Sequence, residues 1–264
     1  MARERPDWEW YQRASEQVAA DELDAAEDII ESALVAGHLW RVSLLLAPAL
    51  QALRGRDRFE TLASEARRRV DGRHLEPLVI TAGPGSPSHV APLLLVLHGA
   101  TGNASIELER WRPATRLGWI VAAGQSSQPA TADGFCWDPP RERVEQDLRL
   151  IAAKLPPHGR VVVAGFSQGA WIALNLGLQA NIVVAGSVVM IAPFAGPDPD
   201  LPAAWRRLKV SILVGENDTY RTPVELLAQQ LGQRDHHVSL EIIPDLGHAY
   251  PADFVARLPS LLRR

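Results

Sequence analysis

A serine, a carboxylate and a histidine met in that order along a chain can together make a nucleophile. Here Gly165-Phe166-Ser167-Gln168-Gly169 places a serine between two glycines. A serine hydroxyl attacks carbonyls poorly until a base takes its proton, and the base works best when an acid holds its ring. Downstream, Gly215-Glu216-Asn217-Asp218-Thr219 offers the acid and Pro244-Asp245-Leu246-Gly247-His248-Ala249 offers the base. Glu216 and Asp245 are rival acids. Asp218 is preferred because it lies a full turn beyond the preceding apolar run, with room to reach His248. The chemistry is acyl transfer through Ser167, with His248 as base and Asp218 as the acid that orients it.

These residues need elements to hold them. The run Arg160–Ala164 reads as a strand and Ala170–Leu178 as an apolar helix, so Ser167 falls on the strand–turn–helix context that G-x-S-x-G requires. Only hydrogen side chains leave room for strand and helix to approach so closely. Leu78–Thr81, Pro92–Leu97, Trp119–Ala123, Ser187–Ile191, Val210–Val214 and Val238–Ile243 also read as strands, the first two separated by the turn-rich 83–87. Between them, Val144, Leu148, Ile151 and Leu155 share one helix face. Another helix is expected from Thr222, with Pro223 at its first position and Glu225 closing a capping box. This alternation predicts an α/β fold, a mostly parallel sheet covered by helices on both faces. Sites in such sheets lie at the carboxyl ends of the strands, where Ser167, Asp218 and His248 all fall. The loop His98-Gly99-Ala100-Thr101-Gly102-Asn103 follows the strand Pro92–Leu97. Backbone N–H groups of Gln168 and of Ala100 or Thr101 are the expected oxyanion donors. His98 is read as a brace for that loop.

Residues 1–74 form a small all-α N-terminal segment by pattern, and residues 75–264 the catalytic domain. Leu23, Ala26, Ile30 and Leu34 recur at helix spacing and stop at Gly37. A second helix runs from about Leu39 and breaks at Pro48, and a third carries Phe59, Leu62, Ala66 and Val70. Three short helices bury little on their own, so they are expected to pack on the catalytic domain. A net charge of −4 argues against nucleic acid and anionic membranes as partners. The lone Cys136 permits no internal disulfide. The first residues are charged, without an apolar signal core, and no apolar run reaches membrane-span length, so a cytoplasmic enzyme is expected. No H-E-x-x-H, G-x-G-x-x-G or phosphate-binding loop occurs, so neither metal nor cofactor is expected. His236 and His237 read as solvated, and His38, His74, His89 and His158 show no partner pattern.

Leu97-His98-Gly99, Gln125-Ser126-Ser127, Trp137-Asp138, Gly165–Gly169, Gly215–Asp218 and Gly247-His248 together resemble the phospholipase/carboxylesterase group of α/β-hydrolases, which includes acyl-protein thioesterases. The resemblance spans about residues 76–264. It implies hydrolysis of small-molecule carboxylic esters or thioesters without cofactor, Ser167, Asp218 and His248 as triad, Ala100 and Gln168 as oxyanion donors, and Trp137 on the loop lining the acyl cleft. Phe194 and Tyr220, near strand ends, are further candidates for the substrate site. Ala100-Thr101-Gly102-Asn103 departs from the Leu-Gly-Asp common in relatives, which bears on acyl preference. The helical segment faintly resembles a degenerate tetratricopeptide pair, through Leu23-Asp24-Ala25-Ala26 and 53–59, which points to protein contact or self-association. A serine peptidase or dienelactone-type hydrolase could use the same three residues. A third alternative is an inert hydrolase-fold scaffold that binds a protein through its helices.

Overall fold

The computed structural model describes residues 6–71, 73, 75–83, 90–194 and 207–262. His74, His89 and most of the 83–87 turn lie outside them. So does 195–206. The chain divides into two compact units: residues 1–75 with 128–134, and residues 76–127 with 135–264.

The larger unit is built on seven strands: β1 (Leu78–Ala82), β2 (Leu93–Leu97), β3 (Ile120–Gln125), β6 (Val161–Phe166), β7 (Ala185–Ile191), β8 (Lys209–Gly215) and β9 (His237–Ile243). The short β4 (Gln128–Pro129) and β5 (Phe135–Cys136) fall between β3 and β6 in the chain. The sheet order is β1-β3-β2-β6-β7-β8-β9. β1 runs antiparallel to β3 and every other neighbouring pair is parallel. The strand bounds fall within two residues of where the sequence places them.

Strand burial explains why these runs lack an alternating polar pattern. In β2, Leu93, Leu95 and Leu97 pack on one face while Leu94 and Val96 pack on the other. In β6 the same split separates Val161 and Val163 from Val162 and Ala164. A parallel strand covered on both faces is apolar throughout. The first face carries α6 (Arg141–Ala153), α7 (Gln168–Gln179) and α8 (Arg221–Gly232). The second carries α5 (Ala104–Trp111), the 3₁₀ turn Arg112–Leu117 and α9 (Phe254–Leu262).

One expected helix start is corrected. α8 begins at Arg221, and its N-cap is Tyr220 with no side-chain cap, so the Thr222 capping box does not form. The Asp218 turn starts the helix earlier: Asp218 accepts the Tyr220 N–H on Oδ1 at 2.9 Å and the Arg221 N–H on its carbonyl at 3.0 Å. Glu225 instead pairs with Arg221.

The smaller unit holds α1 (Pro6–Ala19), α2 (Leu23–Val35), α3 (Val42–Leu45), a 3₁₀ turn Pro48–Leu53 and α4 (Asp57–Asp71). The helix expected from Leu39 is reduced to one α turn and this 3₁₀ segment. The unit has a core of its own in which Tyr11, Ile30, Trp40, Leu50 and Phe59 are buried together. α1, whose spacing gave no separate signal, supplies Tyr11 and Ala14 to that core. The 128–134 excursion joins this unit through its own backbone groups: Arg41 N–H donates to Ala130 O at 2.7 Å, and Ala132 N–H donates to the Asp7 side-chain Oδ2 at 2.8 Å. Among the described residues no helix is long and apolar enough to cross a membrane.

Candidate active site

Ser167 sits between β6 and α7 at φ 51° and ψ −119°. A left-handed conformation for a residue with a side chain costs about 1–3 kcal/mol and persists only where the surroundings impose it. The flanking glycines show how tightly they do. A Cβ on Gly165 would lie 2.3 Å from the Gly169 carbonyl, and one on Gly169 would lie 2.3 Å from the Leu97 carbonyl. The strand–helix turn is therefore pressed onto the end of β2, and Ser167 is carried at the carboxyl edge of the sheet.

His248 and Asp218 arrive from the ends of β9 and β8. Ser167 Oγ lies 2.8 Å from His248 Nε2, and His248 Nδ1 lies 2.8 Å from Asp218 Oδ2. The Asp218 side chain is fully buried while that of His248 is 30% exposed. An ionised carboxylate only accepts, so Nδ1 carries the proton and Nε2 presents its lone pair to the serine hydroxyl. The rival acids are elsewhere: Glu216 is exposed and accepts the Asp245 N–H at 3.2 Å.

The loop after β2 lies against the serine. A Cβ on Gly99 would be 3.2 Å from Ser167 Cβ and 2.8 Å from Phe166 Cδ1. Ala100 and Thr101 follow, with Thr101 at φ 61°. Gln168 opens α7, so its N–H belongs to the first turn, whose amides have no carbonyl partner within the helix. Asn103 closes the loop by capping α5, its Oδ1 accepting the Ile106 N–H at 2.9 Å.

His98 is wholly buried and braced from both ends of its ring. Nδ1 donates to Gly99 O at 2.8 Å, and Nε2 accepts the Ser126 N–H at 3.3 Å. Trp137 stacks on it at 5.0 Å and donates Nε1–H to His98 O at 2.9 Å. Trp137 thus braces the loop after β2 as well as lining the cleft. The Gln125–Ser127 motif is also structural. Gln125 Oε1 accepts the Ala104 N–H, Ser126 Oγ donates to Cys136 O, and Ser127 N–H donates to Asp147 Oδ2. Burial pushes the Asp147 carboxyl above its ordinary value.

The Gln168 side chain does something its motif position did not suggest. It accepts the Trp137 N–H at 2.8 Å and donates to Asp138 at 2.9 Å, tying the serine turn to the Trp137 loop. Beside it opens a cleft of about 610 Å³, lined by Trp137, Leu148, Trp171, Ile172, Leu176 and Phe194. It follows α7 from Gln168 to Gln179, about 16 Å at the helical rise. Phe194 donates its N–H to Ser167 O at 3.2 Å, and its ring meets Tyr220, which in turn lies 5.4 Å from the His248 ring.

Of the remaining histidines, His237 is exposed as read, while three others differ from their sequence reading. His236 is buried, not solvated, and accepts the Leu208 N–H on Nδ1 at 3.2 Å. His38 pairs with Asp7 at 2.5 Å, and His158 donates to Pro156 O. Among the described residues no group of three or more His, Cys, Asp or Glu could hold a metal ion.

No family model and no curated protein sequence matches this chain. Solved structures do. The esterase PE8 shares 19% identity at a TM-score of 0.57, with 72% of this chain covered and 100% of that one. A carboxylesterase from Mesorhizobium loti shares 23% at 0.55, covering 69% and 92%. A Bacillus cereus protein described as uncharacterized shares 20% at 0.57 and covers 98% of this chain and 87% of its own. With the strand order and the serine turn, these likenesses show that the larger unit has the α/β-hydrolase fold.

Proposed function

We propose that the chain is a serine hydrolase that cleaves carboxylic esters or thioesters through an acyl-enzyme. The observation that carries the reading is the unbroken chain of hydrogen bonds from Ser167 through His248 to Asp218. In the forward step Ser167 Oγ attacks the acyl carbonyl while its proton passes to His248 Nε2. Asp218 holds the ring and offsets the charge of the imidazolium. The N–H groups of Gln168 and Ala100, with Thr101 next to them, take the developing oxyanion. Collapse expels the alcohol or thiol, which leaves with the proton from His248. Water then attacks the acyl-enzyme by the same proton route and releases the acid.

The apolar cleft along α7 supports an apolar acyl group of medium length. Its lining offers no buried charge to select an acidic or basic substrate, and Arg141 and Glu145 stand at its side. The test is a fluorophosphonate probe followed by p-nitrophenyl esters of graded chain length beside peptide anilides. The parent should label and Ser167→Ala should not, with a loss of about 10³-fold or more in kcat. Normal labelling and turnover by the Ser167→Ala protein would remove Ser167 as nucleophile. A preference for the anilides would move the reading to a peptidase.

A further inference from the structure

Behind the serine turn, on the sheet face opposite the cleft, lies a polar cluster that the proposed chemistry does not use. Tyr250, two residues past His248, donates its hydroxyl to Glu107 Oε2 at 2.5 Å and accepts the Trp111 Nε1–H at 3.0 Å. The Glu107 side chain is 2% exposed, its other oxygen accepting from Arg110 at 3.2 Å. The Arg110 guanidinium also lies 4.6 Å over the Tyr250 ring. A buried carboxylate is costly unless it is paired and hydrogen-bonded, and a leucine facing a phenylalanine would fill similar space without that cost. What the polar pair adds is direction: the hydroxyl can meet both partners in only one ring orientation.

That orientation reaches the candidate site. The Tyr250 ring stacks on Phe166 at 4.9 Å and 16°, and the Phe166 ring lies 5.3 Å from that of His248. Phe166 immediately precedes Ser167 and also meets Gly99. At the other end, Glu107 stands in the first turn of α5, whose cap Asn103 ends the oxyanion loop. One hydrogen bond thus joins the loop that carries the base to the helix that anchors the oxyanion donors. We infer that Tyr250, clamped by Glu107, is a positioning residue that sets the His248 loop against Ser167 and the 99–103 loop. This rests on the serine-hydrolase reading of Ser167. Burial and the Glu107 carboxylate push the Tyr250 hydroxyl well above its ordinary range, so it stays protonated and keeps donating.

The experiment measures kcat per active site, with sites counted by fluorophosphonate titration, next to KM and the thermal midpoint. Tyr250→Phe keeps the ring and loses the clamp. It should lower kcat about tenfold with KM within about twofold, as expected for reacting groups held slightly out of line. Glu107→Leu should do the same, and the double variant should be no worse than either single one, because both break one interaction. Glu107→Gln, whose amide oxygen still accepts, should stay within about threefold of the parent. If Glu107→Leu does not fold, Trp111→Phe removes the other bond at the same hydroxyl and should lower kcat about threefold. Unchanged kcat per titrated site in Tyr250→Phe, with only a lower thermal midpoint, would make the cluster structural and overturn the inference. Additive losses in the double variant would also overturn it. A parent that fails to label would instead overturn the serine-hydrolase reading, and the inference with it.

Discussion

Among the histidines that the structure describes, His236 is the one whose environment most clearly sets a pH dependence. Burial, and then nearby Arg234, lower its pKa below the ordinary 6.5, while Asp235 pulls weakly the other way. The unfolded chain therefore binds a proton at His236 before the folded one does, and stability falls as pH drops below 6.5 toward the folded value. Protonation also removes the lone pair that accepts the Leu208 N–H. His236→Asn can keep that acceptor without the charge. It should lose less stability than the parent between about pH 7 and pH 5 in urea melts, and equal losses would remove His236 from the acid limb. His236 was misread because exposure depends on which strand covers it, and neighbouring charges in the sequence say nothing of that. The same holds for Tyr250 and Glu107, which meet across 143 positions. Ser167 was legible because the steric demand for glycine on both sides is local. Asp218 was a choice among three carboxylates that only the turn after β8 separates.

At the scale of elements, sequence patterns located the central strands well because two-sided burial, as in β2 and β6, leaves unmistakable apolar runs. Helix starts were less legible, since α8 is begun by the acid turn and not by a residue with strong capping propensity. That turn depends on how closely the β8 and β9 ends approach. A Cβ on Gly215 would lie 2.1 Å from Leu246 O and 2.4 Å from Gly247 O, and both neighbours are backbone. Asn217 N–H and Leu246 O complete the join at 2.8 Å. Gly215→Ala must therefore move one strand end away from the other, parting Asp218 from His248. The expected result is a folded protein, destabilised by about 1–3 kcal/mol as overpacking usually costs, that has lost most of its ester turnover. A crystal structure with the 2.8 Å contact intact, or unchanged kcat, would show that the loops absorb the methyl group.

At the scale of the whole chain, the 128–134 excursion matters because it belongs to the smaller unit while the chain on either side of it, Ser127 and Phe135, belongs to the larger. Its middle is held by Arg41 and by Asp7, which also pairs with His38. Immediately after it, Phe135 N–H donates to Gly102 O at 2.8 Å in the loop after β2, and Trp137 N–H donates to Gln168 at 2.8 Å. Nothing in the sequence pattern singles out 128–134, because its partners in the smaller unit lie 59 to 125 positions upstream. We propose that residues 1–74 are not catalytic but steady this excursion, and through the covalent chain the Phe135–Asp138 segment beside the cleft. A chain beginning at Glu76 loses the partners of Ala130 O and Ala132 N–H, two backbone groups that then need water. A broad-specificity protease should cut that shortened chain between Gln128 and Gly134 and leave the parent uncut there. Asp7→Ala in the full chain should produce the same cut more slowly. Surviving ester turnover should show a broader chain-length profile, since Trp137 lines the cleft. A shortened chain that resists the protease at 128–134 and keeps the parent's chain-length profile would sink the proposal, and would make the helical unit a partner-binding module.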